Sequence, residues 1–243
     1  MDEAKKKRVA CVIALLMLIG GCESAPAPYG REATIVLPGK RKQVWAVAPA
    51  VNLSGQTCVD SLLQADIVYG QLQQIRGVTA IPVNRVAEVY ASLHLEKVQS
   101  VEQAALVCDL LGCDGLLVPT VTLYDPYDPP RFGASLQLFA KPAGFDRSRL
   151  PDAHELSRQA GPTQGESLPA PTNDFRQAVA VFDASNGTTR DELHFYAAGR
   201  HDPSGPLAEK QYRVDMDRFC GFAYFSLIRQ LTEGIGSSSG RRS

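Results

Sequence analysis

Apolar residues along this chain follow two different periods. Around Val44-Trp45-Ala46-Val47-Ala48-Pro49 they run almost uninterrupted, as in a strand buried on both faces, and Asn52-Leu53-Ser54-Gly55 then has the composition of a turn. Over residues 60–76 the spacing changes. Leu62, Leu63, Ile67, Leu72 and Ile75 recur at roughly helical intervals, and Gly77 stands where such a helix should stop. Residues 78–81 read as a second strand. Asn84 is placed to cap a helix carrying Val86, Val89, Tyr90 and Leu93, while Ser100 and Gln103 form a capping-box pattern ahead of a helix over 101–111 that Gly112 closes. Residues 115–124 make a strand long and apolar enough to be central, although Pro119, lacking an N–H, predicts an edge position or a bulge.

The second half of the chain is more punctuated. Tyr124-Asp125-Pro126-Tyr127-Asp128-Pro129-Pro130 is a turn cluster, and the alternation from Gly133 to Phe139 beyond it predicts a hairpin-like partner for the preceding strand. Residues 142–171 are rich in Pro and Gly, with a short helical turn near residues 154–159 as their one periodic stretch, and read as an exposed insertion. Residues 176–184 alternate again. Asn186-Gly187 is the strongest two-residue hairpin signal in the chain and predicts a returning strand over residues 188–198. Residues 215–231 place Met216, Phe219, Phe222, Ala223, Leu227 and Leu231 near one face of a closing helix, before a Gly-, Ser- and Arg-rich tail expected to be disordered over 234–243. The order predicts an α/β or α+β fold: a mixed sheet covered by helices, with a βαβααβ start, a strand meander and a C-terminal helix.

The first residues have another logic. Lys5, Lys6, Lys7 and Arg8 precede an apolar run over residues 9–19, and the run ends in Leu18-Ile19-Gly20-Gly21-Cys22. That is the order of a secretory signal, with a cationic end, an apolar middle and small residues at the cut. At about 11 residues the run falls short of the about 20 that a helix needs to span hydrocarbon. Small residues ahead of a cysteine suit cleavage between Gly21 and Cys22, and the Cys22 thiol supplies the nucleophile for acylation. The pattern resembles the lipobox of bacterial lipoproteins. Residues 1–21 are then the signal, 22–42 an acylated, Pro-rich tether, and 43–233 a single globular domain.

Composition narrows the function. With 44% hydrophobic and 21% charged residues and a formal charge of -1, the chain has no electrostatic footprint for nucleic acid. Cys58, Cys108, Cys113 and Cys220 are an even set for an oxidising compartment, and disulfides and buried thiols both fit. Cys108 and Cys113, read as five apart on one helix, should face different ways and so stay unbonded. His94, His154, His194 and His201 form no helical metal pair, so no metal and no cofactor is expected. His194 and His201 are expected to be exposed near a strand end. Asp125 and Asp128 lack the Gly-centred loop of a calcium site and suit a rigid turn. Ser54-Gly55 and Ser185-Asn186-Gly187 lie in turns and lack a nucleophile elbow. Asn84 and Arg85 are the candidates for a polar contact.

The strand "VWAVAPAVNLSG", the segment leading to "GVTAIPVNRV", the phrase "SVEQAALVCDLLGCDGLLVPTVTLYD" and the later "AVAVFDASNG" resemble the periplasmic α/β domain shared by the curli secretion channel lipoprotein and its relatives. Those relatives include lipoproteins of exopolysaccharide export, lipoprotein activators of peptidoglycan synthases and the N-terminal domain of the Tol translocation protein. The resemblance covers roughly residues 44–226 without the insertion and contains no catalytic motif. It implies the fold, while the lipid anchor, the long tether and the lack of an active-site motif point to a non-enzymatic envelope role through binding other envelope proteins, with a ring of identical subunits as one form of assembly. Channel members insert alternating transmembrane hairpins, whereas residues 142–171 do not alternate and carry prolines that would leave ladder groups unpaired in lipid. A tethered scaffold or accessory binding protein that acts without catalysis is therefore the expectation, on the outer membrane facing the periplasm. An envelope hydrolase with a dispersed site, and a secretion-channel subunit, are the alternatives.

Overall fold

The computed structural model describes residues 35–37, 41–142, 175–198, 200–201 and 205–237. The expected insertion and its helical turn lie outside these residues, as do the signal and most of the tether. Helices cover a mixed sheet of six strands, as the order of elements predicted. The strands are β1 (Gln43–Val47), β2 (Val51–Asn52), β3 (Val78–Ile81), β4 (Gly115–Asp125), β5 (Arg131–Ala140) and β6 (Phe175–Asp183). They lie in the order β3-β1-β4-β5-β6, with β2 also paired to β4. β1 is parallel to both β3 and β4, whereas β4, β5 and β6 form an antiparallel meander.

The helices are α1 (Ser61–Leu72), α2 (Val83–Ser92), α3 (Val101–Leu111), α4 (Gly187–Ala197), the short α5 (Gln211–Val214) and α6 (Met216–Ser237). Because side chains alternate across a strand, β1 and β4 supply two cores. Trp45, Val47, Leu117 and Val121 face the core shared with α1, α4 and α6, and Ala46, Ala48, Leu116 and Val118 face the core shared with α2 and α3. α6 dominates the first, stacking Phe222 on Phe182 and Tyr224 on Phe132 with ring centroids 5.3 Å apart in each pair.

Pro119 lies in an interior strand, not at an edge. Leu117 O accepts from Ala48 N and Val121 O accepts from Leu53 N, so residue 119, between them in a period of two, faces the same neighbour. That neighbour is the break between β1 and β2, where no ladder donor is needed. The β4–β5 register shifts between Val121 and Leu123.

Several local readings are corrected. α1 ends at Leu72 and buries Gln64, Ala65, Val68, Gln71 and Leu72, leaving Leu62 and Leu63 exposed. The buried stripe was hidden because two of its members are glutamines. Asn84 does not cap α2: Pro82 holds the cap position, and Asn84 Oδ1 accepts from the Arg85 N–H inside the first turn. Asn186-Gly187 opens α4 instead of a hairpin. The Asn186 side chain accepts from Thr188 N at 2.9 Å, satisfying a helix-end donor, and Leu193, Tyr196 and Ala197 are buried at helical spacing. A strand would have buried Phe195 beside Leu193, but Phe195 is 76% exposed. The helical backbone of α6 reaches Ser237, beyond the expected start of the tail. At the other end, Val36 bridges Arg76 and Leu37 is buried, so part of the segment read as a free tether packs on the domain.

Candidate interaction cleft

Glutamine in the α1 stripe is explained by what α6 and α4 bring to it. Tyr224 donates its hydroxyl to Gln64 Oε1 at 3.1 Å and Tyr196 donates to Gln71 Oε1 at 3.0 Å. Gly221 lets α6 approach, because a Cβ there would meet Gln71 Nε2 at 3.3 Å and Tyr196 Oη at 3.4 Å. Toward solvent the three elements open into a cleft of about 550 Å³, whose lining includes Gln71, Gln74, Tyr196, Arg200, Tyr212 and Arg218.

Two guanidinium groups are fixed at this cleft. Arg200 lies 4.0 Å over the Tyr196 ring and 4.9 Å over Phe225, and it donates to Tyr196 O and Gln74 Oε1. Its Nε is buried without a hydrogen-bond partner among the described residues, and Tyr212 donates to its backbone oxygen at 3.1 Å. Arg218 pairs with Asp215 at 3.2 Å and lies over Tyr212. Burial pushes the Tyr196 hydroxyl up to about 12, with nearby Arg200 acting in the opposite direction. Tyr196 is thus a protonated donor at neutral pH, too weak an acid to exchange protons there. Burial raises Asp217 as well, helped by the neighbouring Asp215. Rigid planar cations, amides and a phenol suit recognition of polar or anionic groups on a partner. A neighbouring cleft of about 190 Å³ is lined by Arg190, Lys210 and Arg213 around the His194–Glu209 pair.

The meander adds a second surface. On the sheet face away from α6, the β6 edge presents Val179 and Val181 at 59% and 63% exposure. An edge strand carries unpaired backbone groups on its outer side.

Residues singled out in the sequence lie elsewhere. Arg85 is exposed and pairs with Glu88 one turn along α2, and neither it nor Asn84 lines the cleft. His194 is exposed at the helical end of α4, not near a strand end, and His201 Nδ1 meets Ala197 O at 2.7 Å. Asp125 pairs with Arg131 at 2.7 Å within the turn, and Asp128 stands 3.8 Å from Arg213. Asn52 and Asp183 brace the turns that hold Ser54 and Ser185. Among the described residues no group of three or more His, Cys, Asp or Glu side chains is placed to hold a metal ion. Gly21, Cys22 and His154 fall outside the described residues. The cleft is not legible in the sequence because it joins α1 to the last third of the chain, with Gln71 and Tyr196 lying 125 positions apart; two glutamines spaced by seven in α1 were the available signal.

No family model matches this chain, and no curated protein matches it. Solved structures do show similarity. Lipoprotein GNA1162 from Neisseria meningitidis is 18% identical over 41% of this chain and 70% of its own, with a TM-score of 0.35. The C-terminal domain of LpoB from Salmonella enterica is 13% identical over 43% and 76%, with a TM-score of 0.35. The PelC dodecamer from Paraburkholderia phytofirmans is 10% identical over 83% and 92%, again with a TM-score of 0.35. Lipoproteins of the kind named from the sequence are thus among the similar structures, at a similarity too low to assign a function.

Proposed function

We propose that this chain is an exported, lipid-anchored protein of the cell envelope that acts by binding other envelope proteins, not by catalysis. The observation that carries the reading is the N-terminal order of Lys5-Lys6-Lys7-Arg8, a short apolar run and Leu18-Ile19-Gly20-Gly21-Cys22. Acyl chains on Cys22 would hold the domain at a bilayer without a spanning segment, and no described helix is long and apolar enough to cross one. The outer membrane, with the domain facing the periplasm, is the proposed location. The arginine-lined cleft and the β6 edge are the surfaces offered to partners, a second copy of the chain among them.

Crosslinking in intact cells followed by affinity recovery tests this reading, with Cys22→Ser as the unanchored control. Acylated mature protein beginning at Cys22, and envelope proteins recovered with it but lost from the control, are the expected results. A mature terminus elsewhere, or a strict monomer that recovers no envelope protein, would overturn it.

A further inference from the structure

Cys113 is not on the helix that carries Cys108. α3 ends with Gly112 in the left-handed region at φ 67°, and two hydrogen bonds fold the chain back: Cys113 N to Cys108 O at 2.9 Å and Gly112 N to Asp109 O at 3.2 Å. These are the paired bonds of a Schellman turn, in which the residue after the glycine packs its side chain against the residue five before it. Here both of those residues are cysteine. The expectation that the two side chains diverge is therefore corrected: the turn folds Cys113 back onto Cys108, and both are buried in the same core.

The other two cysteines among the described residues are no competitors for this pair. Cys220 belongs to the core on the opposite side of the sheet, and Cys58 is exposed.

We propose that Cys108 and Cys113 close a disulfide that staples the end of α3 to the start of β4 when the chain folds under oxidising conditions. One of the two thiolates attacks a sulfur of an oxidant disulfide, such as oxidised glutathione or a dithiol–disulfide oxidase, and expels a thiolate. The other thiolate then attacks the cysteine sulfur of that mixed disulfide and releases the second thiol. Two electrons pass to the oxidant, whose disulfide becomes two thiols that take up the two protons from the cysteines. Exchange occurs before the pair is buried.

The relevance of the bridge rests on the export reading, but its formation is testable apart from it. The full chain carrying Cys22→Ser is reduced, unfolded and refolded in oxidised and reduced glutathione, then alkylated under denaturing conditions and digested with trypsin. The peptide over residues 98–131 holds both cysteines and no other. After oxidised refolding it should be unalkylated and lighter by two hydrogens than the dithiol form, in Cys58→Ala as in the parent, while Cys113→Ala leaves Cys108 alkylated. A doubly alkylated peptide at every glutathione ratio, or a bridge from either cysteine to Cys58 or Cys220, would overturn the proposal. Protein recovered from the envelope fraction addresses export separately, since a reduced pair there, after bridging in glutathione, would count against export and not against the bridge.

Discussion

Gln64 and Gln71 sit where an amphipathic helix ordinarily buries leucine, and each is tolerated because a tyrosine hydroxyl meets its carbonyl oxygen. Removing that donor should cost more than the bond itself contributes, since the amide stays buried. Tyr224→Phe is expected to destabilise the domain by about 1–3 kcal/mol in chemical denaturation, and Gln64→Leu added to it should restore part of the loss. Charge at the surface acts through pH. Arg131 holds the Asp125 carboxyl below its ordinary value of 3.8, so the contribution of that pair is present above that value and is lost as pH falls through the lower folded one. Arg131→Gln should return the Asp125 midpoint toward 3.8 in an NMR titration; an unmoved midpoint would show that the Tyr127 N–H holds the carboxylate instead.

Among the elements, α4 most clearly separates local signal from outcome. Asn-Gly fits a tight hairpin turn and also fits the first two positions of a helix, where asparagine caps and glycine costs little. What separates the two is the neighbour: α6 offers Phe222 and Phe225 to Tyr196, with centroids 5.7 Å and 5.2 Å away, and only a helix presents Leu193, Tyr196 and Ala197 together. Asn186→Ser should therefore be nearly neutral and Asn186→Ala should cost about 1 kcal/mol by equilibrium unfolding; equal losses would contradict a capping role. In the β4–β5 pair the irregularity after Val121 leaves no room above Gly133, where a Cβ would meet Thr122 Oγ1 at 2.9 Å and Leu123 Cβ at 3.0 Å. Gly133→Ala should destabilise by about 1–3 kcal/mol, visible as a lower unfolding midpoint at unchanged denaturant slope.

At the scale of the whole molecule, the aromatic core formed by α4 and α6 makes the fold sensitive to alkali. Burial holds Tyr196 up to about 12 against an ordinary value of 10 and raises Tyr224 well above that ordinary value, as it does Tyr90 in the core on the other face of the sheet. Below pH 10 this burial leaves stability unaffected; above it the unfolded chain ionises while the folded one does not, so stability should fall as pH rises through 10 to 12, together with a late appearance of phenolate absorbance. Phenolate titrating at the ordinary value in the folded protein would contradict it. The sequence by itself determined β1, β3, the capped and glycine-terminated α3, the β4–β5 hairpin and the mixed α/β class, because each is written in consecutive residues as a period, a cap or a turn. Tertiary structure alone decided which stripe of α1 is buried, whether residues 187–197 coil or extend, how Pro119 fits an interior strand and that Cys113 turns back toward Cys108. Each of those outcomes depends on a partner brought in from elsewhere in the chain or on a backbone reversal that a helical period does not encode, and the arginine-lined cleft exists only where three such segments converge.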